Sequence, residues 1–133
     1  MKETAQQLVA DFLKDRPVME ENNTFHEVVK LLLGEVDELK EAHLNGDNKD
    51  IAQEVADVFI FAYTLANILG VDVDEEVREK VAYNMTRYIA GNFQDGTYEE
   101  GREKSRNWVR DTDWKKQFYE DTQISPVTGS TTG

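Results

Sequence analysis

The chain is expected to be all-α, an oligomeric antiparallel helical bundle with four core helices and a C-terminal helical segment. Three observations predict this. The apolar residues recur at the helical period, no stretch alternates as a strand does, and the second and third helices are joined by a connection of only about six residues.

Residues 4 to about 15 place Leu8, Val9, Phe12 and Leu13 on one face, and DRPVMEENN interrupts the pattern at Pro17. Thr24 is positioned to cap a second helix from Phe25 to about His43. Gly46 breaks LNGDNKD, after which Asp47 or Asn48 caps a third helix from about Ile51 to Leu69, ended by Gly70. Asp72 followed by Glu75 reads as a capping box for a fourth helix reaching about Ala90. GNFQDGTY reads as a loop, and EEGREKSRNWVRDTDWKKQFYED holds a more polar fifth helix. SPVTGSTTG reads as disordered, so one domain is expected over residues 1–124 and a tail over 125–133.

Composition narrows the classes of function. With 133 residues there is room for one modest core, and without cysteine there are neither disulfides nor thiolate metal sites. The opening MKETAQQLVADF lacks the apolar centre of a signal peptide, and the weakly polar run from Val58 to Val71 is short and interrupted by Thr64 and Asn67. A cytoplasmic protein with no membrane partner is expected. The net charge of −12, from 27 acids against 15 bases, argues against a nucleic acid polymer as partner. A small anionic ligand remains compatible if cations neutralise its site locally. The third helix is apolar almost all round, through Val55, Val58, Phe59, Phe61, Ala62, Leu65, Ala66, Ile68 and Leu69, with Ile60 opposite. Such a helix needs burial on several sides, which predicts packing between subunits.

Against this pattern, four acids stand out. On a helical wheel Glu35 falls among Val28, Leu32, Leu39 and Ala42, inside the apolar arc, with Glu38 at its edge. In the third helix Glu54 falls between Val58 and Phe61, with Asp57 at the edge. Each helix thus carries an acid pair at i and i+3, and antiparallel packing would bring the four together. Converging carboxylates in an apolar contact require either protonation or a cation. The all-oxygen donor set suits Mg²⁺, with Mn²⁺ as a substitute. Di-iron chemistry is disfavoured because neither His26 nor His43 follows a glutamate at the Glu-x-x-His spacing. In the fourth helix Lys80, Asn84 and Arg87 form a stripe with Tyr88 beside it, suited to binding phosphate and sugar. Glu76 is placed to pair with Lys80, the ordinary alternative.

These residues resemble the MazG-like all-α nucleoside triphosphate pyrophosphohydrolases, a group including dimeric dUTPases, dCTP pyrophosphatases and phosphoribosyl-ATP pyrophosphohydrolases. GEVDEL carries a Glu-x-x-Glu at Glu35 and Glu38, and after fifteen residues QEVADVF carries a Glu-x-x-Asp at Glu54 and Asp57. KVAYNMTRY is similar to the family's Lys-x-x-x-Asn-x-x-Lys/Arg-Tyr element, and the resemblance covers roughly residues 25 to 100. It implies a homodimer or homotetramer with sites near subunit interfaces, and cleavage of a nucleoside triphosphate between the α and β phosphates. It further implies Glu35, Glu38, Glu54 and Asp57 as Mg²⁺ ligands, and Lys80, Asn84, Arg87 and Tyr88 as substrate contacts. Many members carry a glutamate just before the first motif acid. Gly34 stands there in this chain, leaving Glu38 as the expected base beside Glu35.

His26, with Phe25 and Asn23, is a candidate lining of the base pocket, or simply exposed. Trp108, Trp114, Phe118 and Tyr119 are expected to anchor the C-terminal segment, and Arg102, Lys104, Arg106 and Arg110 to form a solvated face. The expected role is clearance of unwanted deoxynucleotides. The alternatives are phosphoribosyl-ATP hydrolysis in histidine synthesis, or a non-catalytic nucleotide-binding module.

Overall fold

The computed structural model describes residues 3–111, 113, 115–116 and 119–120, and among these there is no strand. Helices α1 (Ala5–Lys14), α2 (Pro17–Asn22), α3 (Phe25–Asn45), α4 (Asn48–Leu69), α5 (Val73–Arg87) and α6 (Tyr98–Asp111) follow in order, with a 3₁₀ turn at Ala90–Asn92. The chain divides into two compact units, one ending at Val73 and the other beginning at Asp74.

In the first unit the helix ends are set by short polar side chains. Thr4 and Gln7 form a reciprocal capping box on α1, and the Thr24 hydroxyl accepts from the Glu27 amide to start α3. Asp47 accepts from the amides of Lys49 and Asp50, so α4 begins at Asn48, ahead of the expected Ile51. Gly46 and Gly70 close α3 and α4 at φ of 72° and 70°, the left-handed region that favours glycine.

DRPVMEENN departs from expectation: it contains α2. Pro17 occupies the first helical turn, where a missing amide hydrogen costs nothing and the fixed φ suits a helix, so it starts an element instead of only ending one.

α3 packs along α4 across the Gly46–Asp47 connection, and α1 also packs on α4. Leu13, Val28, Ala42, Thr64 and Ala66 are buried, and the Thr64 hydroxyl donates to the Ile60 carbonyl at 2.8 Å. Gln6 ties α1 to the exit of α4, donating to Asn67 Oδ1 at 2.9 Å and to the Val71 carbonyl at 2.7 Å, while its Oε1 accepts from the Val73 amide at 2.9 Å. Another face of α4 is open, with Phe59 55% and Leu69 60% exposed. By length and composition alone α4 could cross a membrane. Glu54 and Asp57 stand within it, where carboxylates facing lipid would be strongly disfavoured.

In the second unit α5 stops at Arg87, short of Ala90, because the Ile89 amide donates to Ser105 Oγ at 3.1 Å and not to a helical carbonyl. Ser105 is fully buried on α6 and also accepts from Asn92 Nδ2 at 3.2 Å. Beside it, a Cβ on Gly101 would meet the Phe93 ring at 2.6 Å and the Asn92 carbonyl at 2.8 Å, so glycine permits this close approach. Trp114, Phe118 and the 125–133 segment lie outside the described residues.

Gly34 sits in the interior of α3, exposed, and a Cβ there would meet nothing within 4 Å. Since glycine weakens a helix interior by about 0.5–1 kcal/mol relative to alanine, Gly34→Ala should raise the unfolding free energy by that amount in a urea titration. An unchanged or lower midpoint would show that this backbone is not helical as described.

Candidate functional site

The α3–α4 contact brings acids from both helices together. One carboxylate oxygen from each of Glu35, Glu38 and Glu54 lies within 4.8 Å of the others. Glu35 and Glu54 are half-buried, whereas Glu38 is exposed. Asp57, also half-buried, lies outside this trio, yet its charge reaches Glu35. Among the described residues, Glu35 Oε2 and Glu54 Oε2 are buried with no hydrogen-bond partner.

Ionised carboxylates cannot donate to one another, so the trio is satisfied only by adding a proton or a cation. Burial is the largest influence on Glu35 and pushes its carboxyl up to about 7. A hydrogen shared with Glu38 or Glu54 adds to this, as do the charges of Glu38 and Asp57. The residues fit a hard divalent ion: all donors are carboxylate oxygens, two orphaned oxygens would gain a partner, and exposed Glu38 leaves the cluster open to solvent.

The second unit carries the basic stripe. Lys80, Asn84 and Arg87 lie on α5, and Tyr88 follows its last residue. Lys80 does not pair with Glu76; its Nζ lies 5.3 Å from the centre of the Tyr83 ring. The Arg87 guanidinium is 5.6 Å from the Tyr83 ring and 5.4 Å from the Tyr88 ring. The Tyr88 and Tyr98 hydroxyls are 3.2 Å apart. That hydrogen bond lowers the Tyr88 phenol below its ordinary value, and Arg87 and Arg102 act in the same direction. His26, in the first turn of α3, is exposed.

Arg102 corrects the expected solvated face. Lys104, Arg106 and Arg110 are exposed, but Arg102 is half-buried and donates to the Arg87 carbonyl at 2.7 Å. Its reach to Arg87 and Tyr88 depends on tertiary packing, which spacing along α6 does not encode.

Comparison with known proteins locates these elements. The MazG-like family profile matches residues 25–100, which is more than half of the chain and runs from α3 past the end of α5. A dATP/dGTP diphosphohydrolase of Cyanophage S-2L is 46% identical over 56 residues, covering 42% of this chain and 50% of that protein. The match thus spans about half the length of that curated relative. No solved structure matches the chain.

The raised Glu35 carboxyl has a thermodynamic signature. A folded state that holds this proton more tightly than the unfolded chain gains stability as pH falls from about 7 toward 4.5, and lacks that gain above about 7. In metal-free protein at pH 8, Glu35→Gln should therefore raise the melting temperature by about 5 °C, an advantage that fades as pH approaches 5. Added Mg²⁺ should raise the melting temperature of the original protein but not of the variant. A pH-independent difference between the two would contradict the burial of an unpaired charge.

Proposed function

The chain belongs to the MazG-like family, and from that premise we propose that it is a divalent-metal-dependent nucleoside triphosphate pyrophosphohydrolase. One observation carries this reading: three acids from two helices converge within 4.8 Å, and two of them have buried oxygens lacking partners. Glu35, Glu38, Glu54 and Asp57 would hold Mg²⁺, or Mn²⁺ in its place. Such an ion supplies charge stabilisation on phosphate oxygens and a lowered pKa for water.

The chain's own residues supply the rest. Glu38, the exposed acid, takes the proton of the attacking water, while Glu35 and Glu54 stay fixed in the helix contact. Water oxygen bonds to the α-phosphorus, the α–β bridging bond breaks, and pyrophosphate leaves with the bridging oxygen. Lys80, Asn84, Arg87 and Tyr88 bind phosphate and sugar, and His26 lines the base. The Cyanophage S-2L relative makes dATP and dGTP the first substrates to test, and the role is clearance of deoxynucleotides in the cytoplasm.

The open face of α4 supports a homodimer or homotetramer. Val55, Phe59, Ile60, Ile68 and Leu69 are exposed along one 22-residue helix, an apolar surface that a second copy would cover.

Pyrophosphate should be released from at least one deoxynucleoside triphosphate with Mg²⁺, and turnover in H₂¹⁸O should place the label on the monophosphate. Glu54→Gln should lower kcat by about 100-fold or more. Nucleotide binding without pyrophosphate release, from any deoxynucleoside or ribonucleoside triphosphate or phosphoribosyl-ATP, would identify a binding module instead. Light scattering should give a multiple of the single-chain mass, with Phe59→Asp shifting it toward monomer; a monomeric original protein would refute the assembly.

A further inference from the structure

Arg102 lies two residues beyond the span matched by the family, among cations that alternate with acids along α6. Its neighbours behave as a solvated face does. Arg106 pairs with Glu103 at 2.8 Å and Arg110 with Asp111 at 2.8 Å, all well exposed. Arg102 does otherwise. Its Nη1 donates to the carbonyl of Arg87, the last residue of α5, and its guanidinium lies 4.9 Å from the centre of the Tyr88 ring.

The final carbonyls of a helix lack partners within it. Arg102 therefore caps α5 from α6 at the residue pair, Arg87 and Tyr88, that closes the basic stripe. The stripe's cations share aromatic neighbours: Lys80 and Arg87 approach Tyr83, and Arg87 and Arg102 approach Tyr88. Among the described residues none of these three cations has an acidic partner, in a chain whose net charge is −12. Three like charges left uncompensated around two phenols repel one another and favour an anion.

We propose that Arg102 is a positioning residue for phosphate binding: it holds the Arg87–Tyr88 end of α5 in place and adds positive potential there. The inference rests on the reading of Lys80, Asn84, Arg87 and Tyr88 as phosphate contacts. The role is specific to a cation at this position. A neutral cap would hold the carbonyl equally well but would contribute nothing to anion affinity. Lysine keeps the charge and one donor for the carbonyl, and alanine keeps neither.

The test uses the full chain with Mg²⁺, measuring calorimetric Kd for α,β-methylene-dATP together with KM and kcat for dATP. Arg102→Ala should raise Kd and KM about tenfold with kcat within about twofold, and Arg102→Lys should return both to within about threefold of the original. Arg106→Ala, a control on the exposed pair, should change neither. A folded Arg102→Ala protein with unaltered Kd overturns the proposal, and so does an Arg102→Lys protein as weak as the alanine variant. Should the original protein bind the analogue yet cleave nothing, the pyrophosphohydrolase reading falls, while a tenfold loss in Arg102→Ala still upholds the role of Arg102. Absence of both binding and cleavage overturns the two together.

Discussion

Three carboxylates within 4.8 Å of one another across a helix contact repel each other, and the fold must hold them there against that repulsion. The restraint comes from what surrounds them. Thr24 fixes the start of α3 and Asp47 the start of α4, while the two-residue connection between the helices leaves little freedom to slide. Val28 and Ala42, both buried, bracket Glu35 along the same helix. The apolar packing thus holds acids where they are unfavourable alone and favourable around a cation. On the proposed reading, stability and ligand affinity are opposed at Glu35 in metal-free protein, and a cation held there would reconcile them.

How much of this was legible depends on whether the signal is local. Caps and left-handed glycines act within one turn, so Thr24, Asp47, Gly46 and Gly70 marked the ends of α3 and α4 well. The meeting of Glu35, Glu38 and Glu54 was also legible, because a short connection between two amphipathic helices leaves few other ways to pack. Pro17 misled because proline both ends helices and begins them, and only the structure of the following residues decides which. The early end of α5 and the departure of Arg102 from its neighbours share a cause. Both depend on contacts of α6 with the end of α5 and the segment after it, made by Ser105, Gly101 and Arg102, and helical periodicity does not encode partners that lie outside the helix.

The two units carry chemically distinct elements, acids in the first and a basic stripe in the second. A chain with 27 acids and 15 bases carries a net charge of −12, which disfavours an anionic ligand overall. Two features would offset this locally, an acid cluster suited to a cation and a set of cations that have no acidic partner among the described residues. In the proposed reaction neither would suffice by itself. An acid cluster without a cation repels a polyphosphate, and a basic stripe alone would hold phosphate without activating water.

Tyr83 and Tyr88 explain how cations without an acidic partner among the described residues persist on such an acidic chain. Aromatic faces attract guanidinium and ammonium groups without neutralising them, so Lys80, Arg87 and Arg102 are held in place while their charge stays available. An aspartate or glutamate in the same positions would hold them more strongly and cancel the field. The hydrogen bond between Tyr88 and Tyr98 fixes one of these rings from α6, the helix that also supplies Arg102. On the proposed reading, the end of α5 keeps positive charge beside aromatic rings and, among the described residues, without an acidic partner, an arrangement that would strengthen an anion contact with little reorganisation.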